Sequence, residues 1–248
     1  MRYQLDTIPV WDAYKAGGEC PLCSLRTLSE EAYGEGFLGD SVMEPATRVQ
    51  VNALGFCGRH FAMMRTKKNR LGLGLITHTH LQDVIAGLEE TLKALEAAET
   101  DGTPGSLSGF FHAHTAKPPA ERVRARIARC ILCERLDFTM RRYAYTLVHL
   151  WQSDPEFRRL FAGSKGLCLP DMALVMEVAG ATANKKKRRA FFAALSKLQR
   201  ENLSRIEKEL AWFTQKFDYR NQDKPWGNSR DAVERAIGKL RGDRGPAG

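Results

Sequence analysis

Apolar residues recur at three- and four-residue steps along most of the chain. In 81–98 they are Leu81, Val84, Ile85, Leu88, Leu92 and Leu95. In 188–217 they include Phe191, Phe192, Leu195, Leu198, Leu203, Ile206, Leu210 and Phe213. That period draws a stripe along one side of a helix. Strict apolar–polar alternation, the mark of half-buried strands, is nearly missing. The pattern predicts an all-α protein in which both long stripes form core and helix–helix contacts. Pro45 and Pro155 head shorter helical patterns, where a proline costs no hydrogen bond.

The six cysteines punctuate this pattern twice. Cys20-x2-Cys23 is followed after 33 residues by Cys57-x2-His60, and Cys130-x2-Cys133 after 34 residues by Cys168-x2-Asp171. The flanks match as well: "GFCGRHF" against "GLCLPDM". Self-similarity of this kind predicts a repeated structural unit. The expected organisation is a helical repeat over 1–99, a linker over 100–119, a second repeat over 120–217, and a C-terminal loop with a short helix over 218–248. The linker is rich in Gly, Ser, Thr and Pro but also holds Phe110, Phe111, His112 and His114, which suits a segment docked on a neighbour.

Each short pair has the spacing of two ligands on one helix face. Pro21 places Cys20 just before a helix and Cys23 at its third residue. Gly55 ends one helix and Cys57 opens the next, with His60 one turn in. Two such helix starts offer four ligands in a roughly tetrahedral array, the coordination of structural zinc. Helix N-termini also favour thiolate over thiol. Read along the chain, Cys20, Cys23, Cys57 and His60 make one zinc site, and Cys130, Cys133, Cys168 and Asp171 a second. An iron–sulfur cluster is the main rival, and a CxxC dithiol acting as electron carrier or redox sensor the next. Four buried, unliganded residues in each group is the bland alternative. Asp171 stands where the repeat predicts histidine. It is a harder ligand that adds charge, so the second site is expected to hold metal less tightly, with Lys165 as a nearby counter-charge. An open position there would suit a metal-dependent enzyme. Asp171 also suits a plain helix-N-terminal carboxylate.

Charge and composition narrow the setting. Reduced cysteines used in pairs fit a cytoplasmic protein, and the first residues read as no secretory signal. The most apolar stretch, around 71–88, carries two histidines and an aspartate and makes no membrane span. The formal net charge of +9 includes the run Lys185 to Arg189, which reads first as a solvated helix start and only weakly as a nucleic-acid contact. His78, His80 and His149 read as surface or core histidines. No serine–histidine–aspartate set, phosphate loop or dinucleotide fingerprint is present. A metal-supported surface for a protein partner is the leading functional expectation.

After Phe217 the chain reads "DYRNQDKPWGNSRDAVERAIGKL", a helix end, a polar aromatic loop and a capped short helix with Val233, Ile237 and Leu240 as its apolar positions. With "CPLC", "GFCGRH", "CILC" and "GLCLPD", this ending resembles a bacterial domain-of-unknown-function family that has duplicated CxxC…GxCxxH segments. The resemblance spans most of the chain. It implies an intracellular bacterial protein with metal sites and implies no activity. Asp171 departs from the family's expected histidine.

Overall fold

The computed structural model describes residues 6–100 and 118–242, and within them all regular structure is helical. The helices are α1 (Thr7–Lys15), α2 (Pro21–Leu38), α3 (Pro45–Leu54), α4 (Gly58–Arg65), α5 (Arg70–Thr100), α6 (Pro119–Ile127), α7 (Ile131–Ser153), α8 (Pro155–Ala162), α9 (Leu169–Thr182), α10 (Lys185–Gln215) and α11 (Ala232–Arg241). The all-α expectation therefore holds. Phe110, Phe111, His112 and His114 lie outside the described residues, as does nearly all of the expected linker. None of the described helices is long and apolar enough to cross a membrane.

Prolines and small polar caps set several helix starts. Pro45, Pro119 and Pro155 occupy first-turn positions. Asp154 accepts from the backbone N–H groups of Glu156 and Phe157, and Asn184 accepts from Lys187. Asn184 thus opens α10, where Lys185, Lys186, Lys187 and Arg189 face solvent, as the bland reading of the basic run expects.

The described residues divide into two compact units, 6–29 with 136–242, and 30–100 with 118–135. The sequence expectation draws its boundaries at 99 and 120, whereas this division falls inside α2 and α7, each a continuous helix. In the first unit, α1 packs on α8 through Tyr14 and Phe157, whose ring centroids are 5.1 Å apart. Phe161, Phe191, Leu195 and Val175 extend the same core. α11 lies against α9 and α10. In the second unit, α3 packs along α5, and Phe37 meets Phe56 edge-to-face at 5.2 Å over Val51, Met64 and Ile76.

The two long stripes meet different fates. On α10 the predicted inward residues Phe191, Leu195, Leu198 and Ile206 are buried. On α5 the expectation fails: Leu81, Ile85, Leu92 and Leu95 are 53%, 57%, 48% and 51% exposed. α11 also departs from its pattern, since Ala232 and Lys239 face inward while Ile237 and Leu240 are exposed.

Candidate metal centres

Four helices begin in the same way. Cys20, Cys57, Cys130 and Cys168 each stand immediately before a helix, and Cys23, His60, Cys133 and Asp171 are the third residues of α2, α4, α7 and α9. The predicted spacing therefore produces the predicted local geometry. Two of these starts share a further device. Gly55 and Gly166, two residues ahead of Cys57 and Cys168, have φ of 62° and 75°. Any side chain there would be strained, and it would also run into His80 of α5 or Gln199 of α10. Gln199 completes its contact by accepting from Leu167 N–H at 2.7 Å and donating to Leu167 C=O at 2.9 Å. Cys57 and Cys168 follow in extended backbone, with ψ of 164° and 160°.

The helix starts do not pair in chain order. Cys57 and His60 meet Cys130 and Cys133, all in the second unit. Cys20 and Cys23 meet Cys168 and Asp171, all in the first. This corrects both groupings read from the sequence. Local spacing defines each pair of ligands, but the tertiary structure decides which helix starts converge, those of α2 and α9 and those of α4 and α7. Part of the pairing is tied by backbone: the Ile131 N–H, at the start of α7, donates to Gly55 C=O at 3.1 Å. In the other unit a side chain supplies the tie. The buried Lys239 ammonium donates to the carbonyls of Lys165, at 2.5 Å, and Glu19.

Both centres have one arrangement. His60 Nδ1 lies 3.3, 3.2 and 3.4 Å from the sulfurs of Cys57, Cys130 and Cys133. Asp171 Oδ2 lies 3.3, 3.4 and 3.2 Å from those of Cys20, Cys23 and Cys168. Within each set every ligand atom is within 4.8 Å of every other. A tetrahedral ion with bonds of about 2.0–2.3 Å has edges of roughly 3.3–3.8 Å, so the donor sets fit one ion each after small adjustments.

Their surroundings differ in charge. Glu30 of α2 accepts from His60 Nε2 at 2.8 Å and from Arg59 at 2.7 Å. The carboxylate holds the proton on Nε2, which leaves the Nδ1 lone pair facing the sulfurs. Burial lowers the His60 pKa, with Glu30 opposing, and the ring is neutral at pH 7. Behind Asp171 stands a cation instead. Arg26 Nη2 is 3.5 Å from Asp171 Oδ1 and its Nη1 is 3.9 Å from Asp137. Burial and the neighbouring Cys23 raise the Asp171 pKa, against contact with Cys168 and Arg26. The counter-charge is thus Arg26 rather than Lys165, whose ammonium is 3.8 Å from Glu19.

They differ in exposure too. Cys20, Cys23, Cys168 and Asp171 are all buried, at 7%, 7%, 1% and 2%. In the other centre His60 and Cys130 are buried, while Cys57 and Cys133 are half-buried. Burial, with Cys130 as neighbour, pushes the Cys133 thiol well above its ordinary value.

These paired Cys motifs run through a chain that a family model covers almost end to end. The chain belongs to the family of unknown function DUF6062, whose model matches residues 1–246. No curated protein and no solved structure matches it. The family assignment agrees with the resemblance seen in the motifs and carries no activity with it.

Among the described residues, the other histidines stay outside both centres. His78 and His149 are exposed, and His80 is bonded through Nδ1 to Asn52 C=O at 2.8 Å. Sequence reading missed Arg26, Glu30 and Lys239. The first two sit three and seven residues after Cys23, on the helix that the CxxC motif opens, which is a readable signal once helix faces are considered. Lys239 left none, since its apolar neighbours pointed to the opposite face.

Proposed function

We propose that this is a zinc-binding helical protein with two structural centres, Cys57–His60–Cys130–Cys133 and Cys20–Cys23–Cys168–Asp171. The observation that carries the reading is the convergence of three sulfurs and one further donor, twice, from pairs of helix N-termini. Zinc favours closed four-ligand sites of this composition and joins elements that are far apart in sequence. An ion bound to three thiolates and a neutral imidazole carries a net charge of about −1, and to three thiolates and a carboxylate about −2. Helix N-termini suit both, and Arg26 offsets the extra charge of the second. The structural role is to hold helix starts in place so that the helices can present a surface to a protein partner.

An iron–sulfur cluster or a dithiol redox pair remains the second reading. The close spacing of the donor atoms disfavours a cluster, because inorganic iron and sulfide between the ligands would spread them apart. Elemental analysis of anaerobically purified protein tests the proposal. The expected result is a colourless protein with two equivalents of zinc per chain. Stoichiometric iron with visible absorption, or metal-free protein whose stability does not respond to zinc, overturns it.

A further inference from the structure

α5 carries an apolar face that the rest of the described chain leaves largely open. Leu81, Ile85, Leu88, Leu92 and Leu95 follow one another at steps of four, three, four and three residues. This is the heptad rhythm of a helix that pairs lengthwise with another helix. Leu88 is half-buried, and the other four are about half exposed or more. A row of five large aliphatic residues over four helical turns is more apolar surface than scattered exposed leucines account for.

The borders of the row say what fits it. One border is the inward side of the helix, with Val84 half-buried and Thr91 buried. The opposite border carries Glu89 and Glu96, seven residues apart and hence in line along the helix. Lys93 stands 3.2 Å from Glu89 with its side chain 70% exposed. Residues 81–96 hold four carboxylates and this one lysine, in a chain of formal net charge +9. Asp83 and Glu90 are answered by Arg126 and Arg122 of α6, away from the row.

The first unit shows how this protein covers a long helix. α10, also 31 residues long, is covered by α11. Arg235 of α11 pairs with Glu209 of α10, and Lys239 reaches the Glu19 carboxylate at 3.6 Å. A short basic helix is the cover there, held by its ion pairs and by Ala232 and Lys239 facing inward.

We propose that the Leu81–Leu95 face of α5 is a docking site for a basic amphipathic helix of another protein. The partner's aliphatic residues interleave with Leu81, Ile85, Leu88, Leu92 and Leu95, and its lysines or arginines lie along Glu89 and Glu96. A second copy of this chain is a poorer occupant. An antiparallel two-fold pair would set Glu89 and Glu96 against their own images, and like charges repel across such a seam.

The test uses two synthetic helical peptides of about three heptads, both with leucine at the seam and with either lysine or glutamate on its borders. Binding to the full zinc-loaded chain is read by fluorescence anisotropy, with circular dichroism and metal content as checks on folding. The lysine peptide is expected to bind and the glutamate peptide not. Ile85→Glu and Leu92→Glu, both at exposed positions, should weaken lysine-peptide binding by about tenfold or more. Glu89→Lys with Glu96→Lys should reverse the preference toward the glutamate peptide, a result that general stickiness cannot produce. Failure of the lysine peptide to bind, or binding indifferent to these variants, overturns the proposal. So does a wild-type dimer in sedimentation that Ile85→Glu dissociates, which would make the occupant a second copy. Binding that appears only after residues 101–117 are replaced by a Gly–Ser linker also overturns it, because the chain would then be its own occupant.

Discussion

The two candidate centres use the same backbone and opposite electrostatics. Each takes a cysteine just before a helix and a ligand at its third residue, twice. Where one centre has His60 it sets the carboxylate of Glu30 behind it, and where the other has Asp171 it sets the guanidinium of Arg26 behind that. Both partners come from α2, four residues apart. The fourth ligand and the group behind it form a unit: a neutral ring needs an acceptor to orient it, and a buried carboxylate needs a cation to offset it. By ligand type alone, the Asp171 centre should be the weaker. Its complete burial and the Arg26 contact argue the reverse for the rate of metal loss, since water and chelators reach the half-exposed Cys57 and Cys133 first.

The largest effect expected separates the observed grouping from the one that follows chain order. Cys20→Ser with Cys168→Ser should leave one zinc per chain, because both substitutions fall in one centre. Cys20→Ser with Cys57→Ser should leave none. Metal counting on the purified variants decides, and the opposite pattern would restore the chain-order grouping.

Next in size is an exchange of the fourth ligand. Asp171→His should weaken its centre by about 100-fold, because the imidazole leaves the Arg26 charge buried without its carboxylate. Adding Arg26→Glu supplies the carboxylate that accompanies His60 and should recover much of the loss. Competition against a zinc-binding dye measures both. Asp171→His that binds as tightly as wild type would show that Arg26 is not coupled to the site.

Smaller losses follow from the supporting groups alone. Arg26→Ala should cost the Asp171 centre, and Glu30→Gln the His60 centre, about 10-fold to 100-fold in zinc affinity. Each should spare the other centre. Equal loss at both centres from either variant would point to general destabilisation of α2.

The smallest effect concerns rates. With a mild chelator, or a thiol alkylator at low concentration, Cys57 and Cys133 should react first and their ion should leave first, by about severalfold in rate. Peptide mapping of the first cysteines labelled reads this out. First labelling at Cys20 or Cys168 would break the link between burial and lability.

The helix starts were legible because they are local. A proline at the first helical position, a ligand three residues later and a glycine that must adopt positive φ are all written within a few consecutive residues. Two stretches of the same length and period show the limit of that reading. The stripes of α5 and α10 look alike in sequence, yet one is buried and the other open, since burial depends on what packs against a helix and not on its own period. Lys239 fails for the same reason, a lysine drawn inward by two distant carbonyls.

By itself the sequence determined the helical class, the eight candidate ligands and the face on which each pair sits. Only the tertiary structure decided which pairs meet, which stripe is covered and which charged group stands behind each fourth ligand. Chain distance cannot choose between the pairings. Loop-closure cost grows only with the logarithm of loop length, about 0.6 kcal/mol for each doubling, so joining Cys23 to Cys168 costs little more than joining it to Cys57. The choice falls to the packing of whole helices, where many small contacts among residues far apart in sequence add up.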